Sequence, residues 1–522
     1  MRMVDYSNTH LGDGCRYNEK LRLAERHMEF NVNALKSAAA QSLKRCDTHI
    51  KSLSKLAEGG FNRVLQITMH DDTQVLIRLP YPSTEPKKLA IASEVATLAL
   101  LRAHGLPVPR VHAYSTDANN PVGSEYIIME KLPGKPLGDR WFELSDKERL
   151  KVLLQLVQLE AKFHAIELPS SGSIYYARDL PSDSPPIHIP DSDFCIGPYA
   201  ALEWWFAQRG ALCIDRGPCE DAIDTLRNPA LKELAWLREC GRPRFPFERA
   251  YRESLEYRLS EPSEHITSLE SYLKITPALL PAKEFLRPVL RHPDLQPNNI
   301  FVSDDLDIVG LIDWQHASVQ PLFLAAGIPK FFQNYADPES LHFRPPPPAP
   351  DVSDMDEAEK ASALYEFQRR HTHFFYLGFT QRFNEQHFNA MAQPTNMLTR
   401  RIFTHAGEPW EGNNIPLQAD LVLLTQAWKE YSAGACPISF SPTEVESIMR
   451  LQNEQEEVDL QLKIVRDLIG ISIDGWTPLE EYEAACARAR QIKIDGLASL
   501  DTDYEREMMR RHWPFDDHDE NE

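Results

Sequence analysis

Apolar and polar residues alternate along two short segments in the N-terminal part of the chain. Residues 64–69 and 74–79 are rich in β-branched and aliphatic side chains, and a turn-forming His-Asp-Asp sequence separates them, a pattern that predicts a β-hairpin. Farther along, apolar residues recur at three- and four-residue spacing over 88–104, and a glycine and two prolines follow. This spacing predicts a helix that ends near His104.

The segments on either side of this unit extend the pattern. Strands are predicted over 110–115 and 124–130, and a Leu-Pro-Gly sequence at 132–134 then interrupts the order β-β-α-β-β. Upstream, residues 17–56 contain good helix formers with apolar residues at helical spacing. We therefore expect an N-terminal helical extension followed by a small mixed domain.

Helical patterns dominate the middle of the chain. Ser145 and Glu148 have the spacing of a capping box at the start of a predicted helix. Residues 170–200 are rich in Ser, Pro and Asp, which predicts an exposed excursion. Helical spacing returns over 201–285.

A second hairpin and a long C-terminal region complete the pattern. Two short apolar runs, 299–302 and 308–312, are separated by an acidic turn and predict the hairpin. The proline-rich stretch 344–360 predicts a stiff solvated linker, with a motif for proline-binding domains as the alternative. Beyond it the chain is again helical to about residue 492, and its acidic end predicts a disordered tail.

Composition excludes several classes of protein. The 522 residues are 42% hydrophobic and 25% charged, as in folded globular proteins. The net charge of −21 would repel nucleic acid and anionic membranes. No apolar run approaches the ~18 residues that a membrane span needs. The eight cysteines contain no CxxC pair, which disfavours a zinc site or a disulfide framework.

The most informative stretch is LRHPDLQPNNIFVSDDLDIVGLIDWQHA, residues 290–317. It contains His292 and Asp294 as H-x-D, then Asn299, then Asp313 at the end of the next apolar run. Phosphoryl transfer needs one carboxylate to act on a hydroxyl, and an amide oxygen and a second carboxylate to hold Mg²⁺ on nucleotide phosphates. The spacing therefore predicts Asp294 as the catalytic base and Asn299 and Asp313 as metal ligands.

This stretch resembles the catalytic loop and metal-binding Asp of the protein-kinase-like superfamily, in its aminoglycoside phosphotransferase and choline kinase branch. The resemblance implies a nucleotide-binding lobe upstream, where the β-β-α-β-β unit stands. It assigns the following residues to ATP: Gly59, Gly60 and Asn62 in the turn over the phosphates, Arg78 on the second strand, Glu94 on the helix, and Glu130 and Lys131 at the adenine hinge.

Arg78 departs from the pattern of the superfamily, because related kinases have lysine at this strand position. Both side chains are cations, but a guanidinium is larger, planar and forked. We expect Ile77 and Leu79 to face the core of the lobe and Arg78 to face the nucleotide, where it could form a bidentate pair with Glu94.

The sequence is further similar to a fungal phosphotransferase family, altered inheritance of mitochondria protein 9. The blocks KLAEGGFNRV, RLPYP, NPVGSEYIIMEKLPGKPL, PVLRHPDLQPNNIFV and GLIDWQHASVQPLF carry this resemblance. It implies a mitochondrial location. The family's usual upstream import segment is short or missing here, which leaves a cytoplasmic location as the alternative.

The resemblance also points to an acceptor pocket around Trp204 and Trp205, which could instead be ordinary core aromatics. Acidic residues around 182–193 could attract a cationic acceptor or simply form a solvated loop.

Together these features predict an α+β, bilobal protein-kinase-like fold with a small β-rich N-lobe, a larger helical C-lobe and helical extensions at both ends. The expected segments are an N-terminal extension (1–53), a nucleotide-binding N-lobe (54–133), a C-lobe with catalytic loop and acceptor pocket (134–340), and a linker with a C-terminal helical region (341–522). The expected activity is ATP- and Mg²⁺-dependent phosphate transfer to a hydroxyl of a small molecule. The alternative is a mitochondrion-associated pseudokinase, a nucleotide-binding or scaffold protein without transfer activity, which Arg78 favours.

Overall fold

The computed structural model describes residues 13–15, 18–472 and 475–520. Its strands are β1 Asp13–Cys15, β2 Ile50–Glu58, β3 Asn62–Met69, β4 Gln74–Pro80, β5 Val111–Ser115, β6 Tyr126–Glu130, β7 Lys135–Pro136, β8 Ser173–Tyr176, β9 Ile187–His188, β10 Phe194–Gly197, β11 Pro288–Arg291, β12 Ile300–Val302, β13 Ile308–Leu311, β14 Ser318–Pro321 and β15 Trp476–Pro478. Its helices are α1 Glu19–Glu25, α2 Val32–Ser42, α3 Lys87–Ala103, α4 Asp146–His164, α5 Ala222–Cys240, α6 Pro262–Ile275, α7 Leu322–Ala325, α8 Pro338–Leu341, α9 Glu357–Phe383, α10 Glu385–Met391, α11 Asn396–Gly407, α12 Ile415–Gln426, α13 Trp428–Tyr431, α14 Pro442–Ile469, α15 Tyr482–Ser499 and α16 Asp503–His512. The predicted lack of an import segment concerns the first residues of the chain, and residues 1–12 lie outside the described ones.

The N-lobe is built on an antiparallel sheet of order β2-β3-β4-β6-β5. The predicted hairpin (β3 and β4), the helix that follows (α3) and the two later strands (β5 and β6) are confirmed. The predicted alternation on β4 is also confirmed, since Ile77 and Leu79 are completely buried. Leu35 and Ala39 of α2 pack against the same face of the sheet, so α2 contributes to the core of this lobe.

The continuous helical prediction for residues 17–56 is wrong. The segment forms two helices, α1 and α2, of which the second ends at Ser42. β2 then pairs with β3 from Ile50 opposite Met69 to Glu58 opposite Arg63. Most of β2 is exposed, and its Lys, Leu and Ala residues favour helix locally. Pairing along a free sheet edge outweighs this weak local preference. The sheet therefore begins within the segment predicted as the N-terminal extension.

The C-lobe contains two large buried cores among the described residues. One lies around α4 and the hairpin of β12 and β13, and the other lies around α5, α6 and α11. The capping box of Ser145 and Glu148 is confirmed at the start of α4, as is the hairpin of β12 and β13. Tyr376 of α9 is fully buried in the first core, so the helical C-terminal region packs onto the lobe. No helix of the described residues is long and apolar enough to cross a membrane.

The predictions of an exposed excursion at residues 170–200 and of a disordered acidic tail are wrong. Residues 170–200 contain the three-stranded sheet β8-β10-β9, in which Tyr175 and Cys195 are completely buried, because the proline- and aspartate-rich parts form only the connections. The described part of the acidic tail makes contacts with the rest of the chain. Asp517 accepts a hydrogen bond from the backbone N–H of Asn18 at 2.6 Å, so its charge is used in a contact with the N-terminal segment.

Candidate functional site

His292 ties the two halves of the predicted catalytic motif together. Its Nε2–H donates to the carbonyl of Ile312 at 2.9 Å, and its Nδ1 accepts from the N–H of Asp294 at 3.1 Å. Burial lowers the pKa of His292 to about 4, so the ring is neutral near pH 7 and keeps both hydrogen bonds. The residue therefore fixes the loop after β11 against the turn that carries Asp313.

Asp294 presents an exposed carboxylate held from one side by two amides. Its Oδ2 accepts a hydrogen bond from Asn299 Nδ2 at 3.3 Å and another from Gln296 Nε2. The same Asn299 nitrogen donates to the backbone carbonyl of Asp294 at 2.8 Å. Asn299 thus uses its nitrogen to shape the loop, and its side-chain oxygen is left for another ligand.

Asp313 follows β13 in an unusual backbone conformation. Its φ of 63° lies in the left-handed region, which side-chain-bearing residues rarely adopt outside turns and functional sites. The carboxylate is 48% exposed, and its Oδ1 lies 3.3 Å from Arg78 Nη2. The turn therefore aims a solvent-accessible carboxylate towards the N-lobe.

Arg78 joins β4 and α3 to the catalytic motif. Nη1 contacts the buried carboxylate of Glu94, and Nη2 contacts Asp313 and Gln315. The expected contact with Glu94 is confirmed, but it uses one nitrogen and is not a bidentate pair, because the other nitrogen turns to the catalytic motif. The side-chain amide of Asn62 lies 3.0 Å from both Nε and Nη2 of Arg78.

Glu94 is 3% exposed. Burial raises its pKa to about 7, against the opposing effect of Arg78, which favours the charged form. The guanidinium therefore offsets part of the effect of burial and favours the charged form of Glu94.

Gln315 is the functional-site residue that sequence reasoning missed. It is buried, contacts Arg78 and lies 2.5 Å from the Asn62 amide. The adjacent His316 packs edge-on against Phe61 with ring centroids 5.2 Å apart. The only sequence signal was its position two residues after Asp313.

Gly59 and Gly60 form the turn between β2 and β3. A Cβ atom added at Gly60 would meet nothing within 4 Å, and one at Gly59 would meet only a carbonyl at 3.8 Å. Neither residue has a positive φ. The fold itself does not require glycine here, so the open space above the turn is available for close approach of a ligand.

The side chains of Glu130 and Lys131 lie away from Arg78. Lys131 Nζ donates to Gln66 and Gln74 at 2.8 and 2.9 Å. Glu130 accepts from the N–H of Arg110 at 3.0 Å. Their assignment to the adenine hinge therefore concerns backbone groups and stays a prediction.

The two predicted acceptor-pocket tryptophans face different surroundings. Trp204 is 4% exposed and stacks on Tyr199 with ring centroids 5.1 Å apart, whereas the indole N–H of Trp205 donates to the Tyr199 carbonyl at 2.8 Å. Asp183 and Asp193 of the acidic stretch are exposed, which favours the solvated loop over an acceptor-binding surface.

Two groups of residues have the donor atoms of a metal site. Asn299 and Asp313 offer an amide oxygen and an accessible carboxylate, which fit the oxygen-ligand preference of Mg²⁺. The buried group Glu160, His164 and His387 has ligand atoms within 4.8 Å of one another. Its only carboxylate is 3.3 Å from Arg291, and this positive charge opposes a cation there. His164 makes a structural contact instead, with its Nδ1 3.1 Å from the Asn384 amide.

Comparison with known proteins agrees with this geometry. The model of the phosphotransferase enzyme family matches residues 52–324, just over half of the chain. A subtelomeric hrmA-associated cluster protein of Aspergillus fumigatus is 32% identical over 90% of this chain and 97% of its own. Altered inheritance of mitochondria protein 9, mitochondrial, of Lachancea thermotolerans is 24% identical over 80% and 70%.

Among solved structures, the streptomycin–ATP–APH(2″)-IIa ternary complex covers 76% of this chain and 96% of its own, with 14% identity and a TM-score of 0.37. The match of the family model includes both the sheet with Arg78 and the motif with Asp294 and Asp313. The chain belongs to the phosphotransferase enzyme family.

Proposed function

We propose that the protein transfers the γ-phosphoryl group of ATP to a hydroxyl of a small molecule, with Mg²⁺ as cofactor. The observation that carries this proposal is the 3.3 Å contact between Arg78 and Asp313, which joins the sheet of the N-lobe to the catalytic motif. A phosphate-binding cation, a metal-binding carboxylate and an exposed carboxylate base are the parts that phosphoryl transfer requires.

Asp294 accepts the proton of the acceptor hydroxyl. The hydroxyl oxygen forms a bond to the γ-phosphorus, the bond from phosphorus to the bridging oxygen breaks, and ADP leaves with that electron pair. Gln296 and Asn299 hold the Oδ2 atom of Asp294, so the base is oriented before the acceptor arrives.

Asn299 and Asp313 are the proposed ligands of Mg²⁺, which when bound neutralises charge on the phosphates. Arg78 contacts the same phosphates, and Glu94 orients it. Gly59, Gly60 and Asn62 cover the phosphates from above. The backbone at Glu130 and Lys131 meets the adenine.

The second candidate is a pseudokinase, and one observation favours it. Arg78 contacts Glu94, Asp313 and Gln315 at the same time. The contacts with Asp313 and Gln315 compete with the binding of phosphate by Arg78, and the contact with Asp313 also competes with the binding of metal by that carboxylate.

The yeast relatives are named as mitochondrial. These names support a mitochondrial location for this chain in either function, as the sequence resemblance implied.

A two-stage experiment tests the proposal. Thermal shift of the full chain with ATP or GTP, and with Mg²⁺ or Mn²⁺, measures nucleotide and metal binding. ADP release across a library of hydroxyl metabolites then measures transfer, with Asp294→Asn as the inactive control. Turnover that disappears in Asp294→Asn supports a phosphotransferase. Metal-dependent ATP binding without turnover on any acceptor supports the pseudokinase.

A further inference from the structure

A cavity of about 390 Å³ lies in the C-lobe, between Tyr199 and Trp204 on one side and Arg400 of α11 on the other. Tyr199 and Trp204 form an aromatic wall, and Arg291, Gln320 and Arg400 line it with polar groups. The cavity is coupled to the motif at two places. Arg291 stands three residues before Asp294, and the carbonyl next to Tyr199, that of Ala200, accepts a hydrogen bond from His316 Nδ1 at 2.8 Å.

Arg400 is a half-buried cation with no carboxylate partner in the part of the chain that the structure describes. Its Nε donates to the carbonyl of Leu324 at 3.1 Å. Burial first, and the neighbouring charge of Arg291 second, lower its pKa to about 10. The next residue on the same helix, Arg401, is instead paired with the buried Asp420. The lack of a carboxylate partner among the described residues is thus specific to Arg400 and is not shared by its neighbour on the helix.

The Arg400 guanidinium packs directly against the backbone at Gly327, which has no side chain to block it. A Cβ atom at Gly327 would lie 2.1 Å from Arg400 Nη1, so any larger residue would displace the side chain. Arg291 Nη2 donates to the carbonyl of the same glycine at 2.8 Å. Two guanidinium groups therefore lie on either side of Gly327.

The charges around the two arginines do not balance. Glu160 is the only carboxylate paired with either of them among the described residues, at 3.3 Å from Arg291, and it also accepts from the Tyr376 hydroxyl. Glu203 and Glu408 line the cavity as well, but both are exposed. Because an unpaired charge with little solvent contact is costly, the part of the cavity next to the two arginines favours an anion.

We propose that Arg400, together with Arg291, binds a carboxylate or phosphate group of the acceptor, whose hydroxyl then points towards Asp294. The inference rests on the proposed function for the identity of the ligand as acceptor. A guanidinium offers parallel donors that match carboxylate and phosphate oxygens. The acceptor is accordingly a hydroxylated acid or a phosphorylated alcohol, rather than the cationic amine that the acidic stretch at 182–193 suggested.

Binding is tested first, by thermal shift of the full chain with glycerate, glycerol 3-phosphate and glycerol at constant ionic strength. Arg400→Gln removes the cation, and Arg382→Gln removes an exposed arginine on α9 as the matched control. We expect one or both anions to raise the Tm of the wild type and of Arg382→Gln, with no effect from glycerol and none in Arg400→Gln. The two anions distinguish a carboxylate site from a phosphate site. Equal shifts in Arg400→Gln and the wild type would overturn the proposal.

The unliganded variants provide a second readout. Since half-buried Arg400 has no carboxylate partner among the described residues, Arg400→Gln should unfold at the same Tm as the wild type or at a higher one. A large loss of Tm would mean that the guanidinium is structural and would also overturn the proposal. Arg400→Lys keeps the charge without the fork and should retain part of the anion-induced shift.

Turnover separates this inference from the proposed function. With paired acceptors that share a hydroxyl skeleton, we expect kcat/KM to be at least tenfold higher for the anionic member, and this preference to vanish in Arg400→Gln. Turnover of neutral or cationic acceptors at equal rates in both proteins would support the phosphotransferase and overturn the anion site. Anion-induced stabilisation that depends on Arg400, without any turnover, would support the site and contradict the transfer activity.

Discussion

Arg78 Nη2 lies 3.3 Å from Asp313 Oδ1, although 235 residues separate the two along the chain. Arg78 belongs to β4 of the N-lobe sheet, and Asp313 to the turn after the catalytic hairpin. One guanidinium therefore bridges the side that would hold phosphate and the side that would hold metal. Its second nitrogen is committed to Glu94, so the bridge is anchored at a buried point.

Because of this bridge, we expect nucleotide affinity to depend on Arg78. Arg78→Ala should weaken the binding of ATP with Mg²⁺ by roughly 1.5 to 3 kcal/mol, the range for a hydrogen bond to a charged group. Arg78→Lys should retain binding, because an ammonium can still reach phosphate. Isothermal titration measures the three proteins. Arg45→Ala, which removes a surface ion pair with Asp71 in the same lobe, is the control, and equal affinities throughout would favour the pseudokinase.

Local sequence pattern was enough to predict the elements that carry the site. The hairpin of β3 and β4 and that of β12 and β13 both have alternating apolar residues and a polar turn between them, and these signals lie within a few residues of one another. The motif of Asp294, Asn299 and Asp313 was likewise visible because its spacing follows a loop, a strand, a turn and a strand.

What sequence could not predict depends on distant partners. β2 is composed of helix-favouring residues and becomes a strand only because β3 offers it an edge. Gln315 contacts Arg78 across 237 residues, and nothing in its immediate sequence marks that contact. That Arg400 has no carboxylate partner among the described residues could not be predicted either, since a sequence does not show which charges remain unpaired after folding.

Asp294→Asn should abolish phosphate transfer and leave ATP affinity within a few-fold of the wild type. In the proposed mechanism the carboxylate acts on the acceptor hydroxyl and not on the nucleotide, and the amide preserves its shape while removing its basicity. ADP release and isothermal titration measure the two effects separately. Asp304→Asn, in the exposed turn of the same hairpin, should change neither, and a parallel loss of ATP affinity in Asp294→Asn would show that its role is misassigned.

Asp313→Ala should remove the Mg²⁺ dependence of ATP binding, because the carboxylate is the strongest oxygen ligand of the proposed site. ATP affinity without metal should be retained, since Arg78 loses a competing partner at the same time. Titrations of ATP at increasing Mg²⁺ concentration measure both effects. Asp305→Ala serves as a surface control, and an unchanged response to Mg²⁺ in Asp313→Ala would place the metal elsewhere.

His292 should make the stability of the protein fall in mild acid. Its pKa is about 4 in the folded protein and 6.5 in an unperturbed histidine, so the unfolded chain takes up the proton first as the pH decreases. Its contribution is complete above pH 6.5 and is lost towards pH 4, at up to about 1.4 kcal/mol per pH unit. The free energy of unfolding of His292→Gln should therefore fall less steeply over this window. The exposed His49→Gln is the control, and identical slopes in His292→Gln and the wild type would contradict a buried neutral ring.

Gln315 should restrain Arg78 in the absence of nucleotide. Its side-chain oxygen accepts from Arg78 Nη2 and lies against the Asn62 amide, so ATP must displace it before the guanidinium can turn to phosphate. Gln315→Ala removes this competitor and leaves Glu94 to orient Arg78. ATP affinity should then increase about three- to tenfold, somewhat less than a full hydrogen bond to a charged group because water replaces the amide. Isothermal titration beside Gln381→Ala, an exposed glutamine on α9, measures the change. A loss of affinity in Gln315→Ala would mean that the amide positions Arg78 for phosphate instead of holding it back.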